Sequence, residues 1–190
     1  LFFLFLILFN HKIIAEEFNI SATEVSIDQS NDILIGKGNV KISDSTGRII
    51  KADNVKYEKS KEFILVEGSV EIYDVEGNVL TTEKATYDKI NDIIVTFDNT
   101  SLELKDGYLL TANKIFYNIK EQIISSNQKS IFIDKDGNEI NVNKFQYDLD
   151  KNLFSSIGNI KVVDTYKNKY FFKELYIDTL KKNMIGSDAS

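Results

Sequence analysis

Apolar and polar residues alternate along most of the chain, and the alternating pattern repeats every 30 residues. The period is clearest in a column of four tyrosines, Tyr57, Tyr87, Tyr117 and Tyr147. Two positions earlier lies an apolar column, and a glycine column shares the register: Val25, Val55, Ala85, Ile115, Phe145 and Leu175, with Gly47, Gly77, Gly107 and Gly137. A period of this length indicates stacked structural repeats.

Within one repeat the alternation has a period of two, which is typical of half-buried β-strands. Val55 and Tyr57 are apolar with polar residues between them, and Val70 and Ile72 follow the same rule. The phrase Asp74–Gly77 predicts a tight turn, because glycine tolerates a positive φ and aspartate hydrogen-bonds its own backbone. No segment beyond the first residues has a helical period, so we expect essentially no helix.

The parity of the apolar positions changes once inside each repeat. Apolar residues are even-numbered at Val40, Ile42 and Ile50 but odd-numbered at Val55 and Tyr57. One residue must therefore be absorbed near 53–54, as a bulge or a bend. Stacked bent rungs of this kind form either a closed β-solenoid with a filled lumen or an open sheet of jellyroll type with an apolar trough. The pattern alone does not decide between the two.

The middle repeats depart from the pattern. Gly38, Gly68 and Gly158 form one column, but Asp98 and Gln128 replace glycine in the two middle repeats. Two positions later the column is Val40, Val70, Thr100, Ser130 and Ile160, so the middle repeats carry hydroxyls. These departures predict either a less uniform interior or rungs widened for a ligand.

The first residues, Leu1–Phe9, are nine consecutive apolar residues, too few to span a bilayer but suited to a signal peptide. Ala15 offers a cleavage site, so we expect a signal peptide at residues 1–15, without its basic n-region, and a domain at residues 16–190. The chain stops inside a repeat-like phrase, which predicts that this domain is truncated at its C-terminal end. The sequence contains no cysteine, so the exported domain would be held by its core and its strand pairing.

Composition argues against a catalytic or metal site. His11 is the single histidine and lies beside the leader, which leaves the remaining chain without histidine or cysteine chemistry. Carboxylates recur with the repeat, at Asp28, Glu58, Asp88, Asp148 and Asp178, and a residue repeated in every rung indicates architecture rather than a single active site. We therefore expect no enzyme activity, no cofactor and no metal.

Two further ligand classes are disfavoured by the residues. The stretch that begins at Asp134 has glycine at its fourth position and Phe145 at its twelfth, so it does not match a calcium-binding loop. The net charge is −6 and the basic residues are scattered, which argues against nucleic-acid binding.

The inward columns are the candidate functional residues. They either fill a core or line a trough for an apolar ligand, and tyrosine suits the rim of a trough because its hydroxyl can stay in water. The predicted lipid-binding set is Val40, Ile42, Val55, Tyr57, Val70, Ile72, Tyr87, Leu102, Ile115, Tyr117, Phe132, Phe145 and Tyr147.

Several phrases resemble a known family. Ala52–Glu58, Val66–Ile72 and the residues Asp74, Gly77 and Leu80 are similar to the OstA-like repeats of the lipopolysaccharide transport (Lpt) proteins. The resemblance covers about residues 20–187. Within that family the repeats are most similar to the N-terminal periplasmic domain of LptD, and next to LptA.

The resemblance implies an open β-jellyroll of about six 30-residue rungs made of stacked, bent antiparallel strands. It also implies a periplasmic module, associated with the outer membrane, that binds the acyl chains of lipopolysaccharide and shields them during transport. The implied partners are other Lpt proteins, joined by pairing of edge strands. Two alternatives remain open: a structural or adhesive β-solenoid with a filled core, and an enzyme acting on a polysaccharide.

Overall fold

The computed structural model describes residues 18–187, so the predicted signal peptide at residues 1–15 lies outside the described residues. The described residues form seventeen β-strands, a short 3-10 turn at Lys59–Lys61 and no α-helix, as the alternation predicted. The strands are β1 (Asn19–Ser21), β2 (Glu24–Asp28), β3 (Ile33–Ser43), β4 (Ile49–Glu58), β5 (Phe63–Tyr73), β6 (Val79–Asp88), β7 (Ile93–Phe97), β8 (Thr100–Glu103), β9 (Leu109–Ala112), β10 (Phe116–Asn118), β11 (Ile123–Ser126), β12 (Ser130–Ile133), β13 (Glu139–Val142), β14 (Phe145–Asp148), β15 (Leu153–Val163), β16 (Lys169–Asp178) and β17 (Asn183–Ser187).

The strands form two layers that share the long strands, and all pairing is antiparallel. Layer A contains β2, β7, β10, β11, β14, β17 and the halves of the long strands at 33–37, 54–58, 63–67, 84–88, 153–157 and 174–178. Layer B contains β1, β8, β9, β12, β13 and the other halves, at 40–43, 49–52, 70–73, 79–82, 160–163 and 169–172. The layers face each other, since Phe132 of layer B stacks on Phe154 of layer A with ring centroids 4.5 Å apart.

In the N-terminal repeats each long strand crosses from one layer to the other at a bulge. β3 and β4 pair Lys37 with Asn54 and next Val40 with Ala52, so two residues of β3 oppose one residue of β4. The two inserted residues, Gly38 and Asn39, have φ angles of 72° and 47°. This shift confirms the predicted change of parity, but the extra residue lies on the glycine-bearing strand β3, opposite Asp53, rather than near 53–54 itself.

Gly68 takes the same place in β5, with a φ of 80°. A Cβ at this position would collide with the side chain of Asp53 on β4. Glycine is therefore required here for two reasons, the left-handed backbone and the close approach of the neighbouring strand.

In the central repeats the strands break at the bend. β7 and β8 are separate, as are β9 and β10, β11 and β12, and β13 and β14. Buried hydroxyls bond backbone groups near the breaks: Thr96 Oγ1 accepts the N–H of Ile115 at 3.0 Å, and Ser130 Oγ donates to the carbonyl of Gln128 at 2.8 Å. The departures seen in the sequence therefore mark broken strands, whose freed backbone groups need side-chain partners.

These breaks change the connectivity expected for an open jellyroll. β6 and β15 stay continuous and each pairs with strands of both layers. The hydrogen bonds consequently close into a ring of ten strands: β6, β7, β10, β11, β14, β15, β13, β12, β9 and β8. The prediction of stacked antiparallel β rungs holds, but the pairing is a closed ring with further strands on both sides rather than a uniformly open sheet.

Candidate functional site

The predicted inward columns lie together in one hydrophobic core between the two layers. Tyr57, at the N-terminal end, is half-buried. The other twelve are buried, with at most 7% of their surface exposed: Val40, Ile42, Val55, Val70, Ile72, Tyr87, Leu102, Ile115, Tyr117, Phe132, Phe145 and Tyr147. Their inward direction is therefore as expected. Their binding of lipid stays a prediction.

Three tyrosines of the column place their rings in this core and their hydroxyls at the hairpin tips of layer A. Tyr87 OH donates to Asp92 Oδ1 at 3.1 Å, and Tyr117 OH donates to Gln122 Oε1 at 3.2 Å. Burial raises the pKa of Tyr87 to about 12 and also raises the pKa of Tyr117 and Tyr147. The column is thus amphipathic, with apolar bodies inside and polar ends at the rim.

At the N-terminal end the interior holds a cavity of about 390 Å³. Its lining includes Phe18, Ile27, Leu34 and Tyr57. Phe18 stands edge-on to Tyr57 with a centroid distance of 5.8 Å, and Ile27 of β2 is 65% exposed. This end of the interior therefore presents apolar surface that the described residues do not cover.

Further along the chain the interior is filled by a row of stacked aromatic rings. Tyr108 stacks on Phe132 at 5.4 Å, Phe132 on Phe154 at 4.5 Å, and Phe154 on Phe145 at 5.7 Å. Phe132 and Phe154 are completely buried. The filled core that the sequence left as one possibility is thus present in this part of the molecule.

The hairpin tips of the two layers meet along one side of the molecule, and Arg48 makes the first bridge between them. Its guanidinium pairs with Asp44 of its own turn at 2.9 Å and donates to Tyr87 OH of layer A at 3.4 Å. Arg48 Nε is buried without a hydrogen-bond partner within the described residues. Arg48 is the single arginine of the sequence and replaces the asparagine that follows the turn glycine at Asn78 and Asn138.

Thr179 makes a second bridge. Tyr108 OH of layer B donates to the carbonyl of Thr179 at 3.1 Å, and Tyr147 OH bonds Thr179 Oγ1 at 3.0 Å. Nearby, Asn78 and Lys105 of layer B and Gln122 of layer A line a polar cleft of about 270 Å³ between the tips. The side of the molecule where the layers meet is therefore joined by a few polar contacts, whereas the bend side is joined by continuous backbone.

The recurring carboxylates serve the hairpin turns of layer A. Asp88 accepts hydrogen bonds from the side chain and the backbone of Asn91, and these bonds lower its pKa. Asp28, Asp148 and Asp178 bind their turns in the same way, and hydrogen bonds from Lys56 and Lys61 lower the pKa of Glu58 to about 2. Among residues 18–187 no cluster of carboxylates or histidines is placed to hold a metal ion.

Asp134 has the same capping role on the layer B side. It accepts from the backbone N–H groups of Asp136 and Asn138 at 3.0 and 2.8 Å. Its carboxylate is occupied by its own turn, as expected for a tight turn rather than a calcium loop.

The two ends of the sheet are strand edges. β2 pairs with β3 on one side, and every residue of β2 is exposed. At the other end, the layer B half of β16 is the last described strand of its layer, and Tyr170 and Phe171 are 44% and 47% exposed. Both edges thus combine apolar side chains with an unpaired side of the strand within the described residues.

Sequence reasoning did not single out Arg48, Phe18 or Thr179. A signal existed for Arg48, since it breaks an asparagine column and has no counterpart in the sequence. Thr179 had no such signal, because its partner Tyr108 is 71 residues away and follows from how the layers cross.

Comparison with known proteins identifies the family. Residues 19–123 match the model for the LptA/(LptD N-terminal domain) LPS transport protein, which is more than half of the chain. None of the curated proteins matches. No helix in the described part of the chain is long and apolar enough to cross a membrane.

Solved structures agree on the fold. LptH of Pseudomonas aeruginosa, described as the LptA-homologous periplasmic component of the lipopolysaccharide transport device, superposes with a TM-score of 0.52. It is 14% identical, and the match covers 57% of this chain and 80% of LptH. The TCP10 domain of CPAP from Danio rerio matches 85% of this chain and 97% of its own at 12% identity, but its TM-score of 0.22 is too low to support an argument. The chain therefore belongs to the family of LptA and the LptD N-terminal domain, the lipopolysaccharide transport proteins.

Proposed function

We propose that this protein is a periplasmic module that binds the acyl chains of lipopolysaccharide between its two layers and shields them on the way to the outer membrane. The observation that carries the proposal is the apolar interior, which is continuous between the layers and ends in a mainly apolar cavity beside Tyr57. Family membership supports the same pathway.

The free energy of shielding is large enough to matter. Burying a methylene group contributes about 0.8 kcal/mol, so exposing a chain of about a dozen carbons costs ~10 kcal/mol. The interior offers the matching surface, since Val, Ile, Leu and aromatic side chains face one another across it. The polar ends of the ligand would stay outside, at the hairpin tips.

Because the core is filled in the central region, acyl chains must displace side chains or separate the layers. Separation on the tip side also parts stacked rings such as those of Phe132 and Phe154. It breaks few hydrogen bonds between the layers, among them those of Arg48 with Tyr87 and of Tyr108 with Thr179, and it leaves the strand pairing within each layer intact. We propose that this parting opens the tip side of the interior to acyl chains, while the ring of ten strands stays paired.

The edges supply the proposed contacts with other Lpt modules. Exposed strands normally favour uncontrolled aggregation, so an edge that carries Val25 and Ile27 is better explained by a partner strand. The variant V25K/I27K should abolish association with an LptA-like partner in light scattering, while T46K, on an exposed turn, should leave it unchanged. Association that survives V25K/I27K would contradict this docking.

Photo-crosslinking tests the lipid site. A photoreactive residue at position 87 or 115 faces the interior, and one at position 86 or 116 faces outwards on the same segment. We expect lipopolysaccharide adducts at 87 and 115 and none at 86 and 116. Absence of adducts at both inward positions, or equal yields on both faces, would contradict the proposal.

A structural module with a permanently filled core is the second candidate, and the complete burial of Phe132 and Phe154 favours it. The two candidates differ in how stability responds to lipid. A ligand that binds the folded state raises the unfolding temperature, so lipopolysaccharide should raise it for a conduit and leave it unchanged for a structural module.

A further inference from the structure

A large groove, lined mainly by polar residues together with Ala112, Ile131 and Val142, opens on the outer side of layer B. Its volume is about 710 Å³, and it follows the bend where the central strands break. Its floor is a row of directly paired residues on five neighbouring strands: Ser101, Thr111, Ile131, Asn141 and Lys161. With a strand spacing of about 4.8 Å, this row is roughly 19 Å long.

A second row forms one wall of the groove at the strand breaks. It consists of Asn99, Asn113, Lys129, Asn143 and Asn159, all exposed. The amides of its four asparagines make no hydrogen bond to any other part of residues 18–187. Each of these amides therefore has a donor and an acceptor available to a ligand.

The charge of the groove is opposite to that of the chain. The protein has 29 acidic and 23 basic residues, yet the fourteen lining residues include two lysines and no carboxylate. Neither Lys129 nor Lys161 pairs with a carboxylate within the described residues. The groove is thus a local site of positive charge in an acidic protein, suited to an anionic ligand.

We propose that this groove binds an acidic oligosaccharide. An extended glycan presents hydroxyls that both donate and accept, which matches asparagine, serine and threonine, and its acidic groups match the two lysines. Ile131 in the floor offers an apolar contact for a sugar face. Nucleic acid is a poorer match, because the lining contains no aromatic side chain on which a base can stack. The inference goes beyond the proposed lipid conduit and does not depend on it, since the residues of the floor and of the wall lie outside the core.

Calorimetry and amide chemical-shift mapping test the groove with defined probes. These are tetrasaccharides of hyaluronan and heparin, a phosphorylated oligosaccharide, the neutral sugar maltotetraose, inorganic phosphate and single-stranded oligothymidine. We expect saturable binding of at least one acidic oligosaccharide, with shifts confined to the groove, and at least tenfold weaker binding of maltotetraose.

Matched variants separate the groove from general charge. K129Q/K161Q should weaken binding of the acidic oligosaccharide at least tenfold. K41Q/K120Q makes the same change of charge outside the groove, and its affinity should stay within twofold of that of the unsubstituted protein. Lys41 occupies the position equivalent to Lys161 in the first repeat. Both variants should retain the lipid crosslinks at positions 87 and 115, because neither touches the interior.

Four results would overturn the proposal. These are no saturable binding of any acidic oligosaccharide, shifts outside the groove, inorganic phosphate reproducing the full effect, or oligothymidine binding more tightly than the glycans.

Discussion

The N-terminal region, residues 18–88, and the central region, residues 93–148, are built from the same 30-residue repeat but join their two layers differently. In the first, the long strands β3 to β6 cross the bend without a break, at bulges such as Gly38–Asn39. In the second, the strands break and buried hydroxyls such as those of Thr96 and Ser130 bond the freed backbone groups. The same fold is therefore obtained from two local solutions to one geometric problem.

The interiors of the two regions differ as well. A cavity lined by aliphatic side chains and by Phe18 and Tyr57 occupies the N-terminal end, whereas the stacked rings of Phe132 and Phe154 fill the interior of the ring of ten strands. The difference shows that the same repeat can form both a tightly packed interior and, at the N-terminal end, an interior that contains a cavity. We expect the two regions to respond differently to the same perturbation.

Truncation of a core aromatic should give the largest effect. F132A leaves a cavity in the stacked row and should lower the free energy of unfolding by about 3–5 kcal/mol. Y57A removes a half-buried ring beside an existing cavity and should cost about 1–2 kcal/mol. Urea denaturation measures both values, and equal losses would contradict the contrast between filled and open regions.

Removal of a buried hydroxyl group at a strand break should have the next largest effect on stability. T96V deprives the N–H of Ile115 of its acceptor and the hydroxyl of Thr100 of one of its acceptors, so it should cost about 1–3 kcal/mol. T111V changes a half-buried threonine on the outer face of the same region and should stay within about 0.5 kcal/mol. If T96V were as mild as T111V in thermal unfolding, the hydroxyls would not hold the bend.

Alkaline pH should weaken the contact between the layers. The pKa of Tyr87 is raised from 10.0 in the unfolded chain to about 12 in the folded protein, chiefly by burial. Its contribution to stability is therefore complete below pH 10 and is lost as the pH rises through about 12. In urea denaturation, the free energy of unfolding of Y87F should fall less between pH 10 and 12 than that of the unsubstituted protein. An equal fall in both proteins would contradict the contribution of Tyr87.

Substitution of Arg48 should have the smallest effect on stability when it is replaced by asparagine, the residue found at the same place in other repeats. R48N places at this turn the asparagine that binds the turn aspartate at Asn78, and should change stability by less than about 1 kcal/mol. R48A leaves Asp44 with the backbone hydrogen bonds of its turn but without its charged partner, and should cost about 1.5–3 kcal/mol. A loss for R48N as large as for R48A would mean that the contact with Tyr87, rather than the turn, dominates.

The sequence predicted the features that recur. The apolar columns at Val55 and Tyr57 and the parity change follow from local alternation, and the turn at Asp74–Gly77 follows from its residue types. Each is present, although the extra residue at the parity change lies on the strand opposite Asp53. Repetition made these predictions reliable, because every repeat poses the same packing problem. The residues predicted to bind lipid were placed correctly in the interior for the same reason.

The features that occur once could not be predicted in the same way. The ring of ten strands depends on how far the breaks after Asp98 and Gln128 interrupt pairing, which is decided by backbone geometry on neighbouring strands. The bond between Tyr108 and Thr179 depends on how the two layers cross. Neither leaves a trace in alternation, so a single sequence indicates that the middle repeats differ but not how.

Distance measurement between spin labels tests the central claim, that the layers part to admit acyl chains. The chain contains no cysteine, so labels attached at S45C and I90C report on one pair of exposed tips in opposite layers. A control pair at S45C and V75C lies on neighbouring tips of layer B. Lipopolysaccharide should lengthen the distance between 45 and 90 and leave that between 45 and 75 unchanged. An unchanged 45–90 distance at saturating lipopolysaccharide would contradict the account.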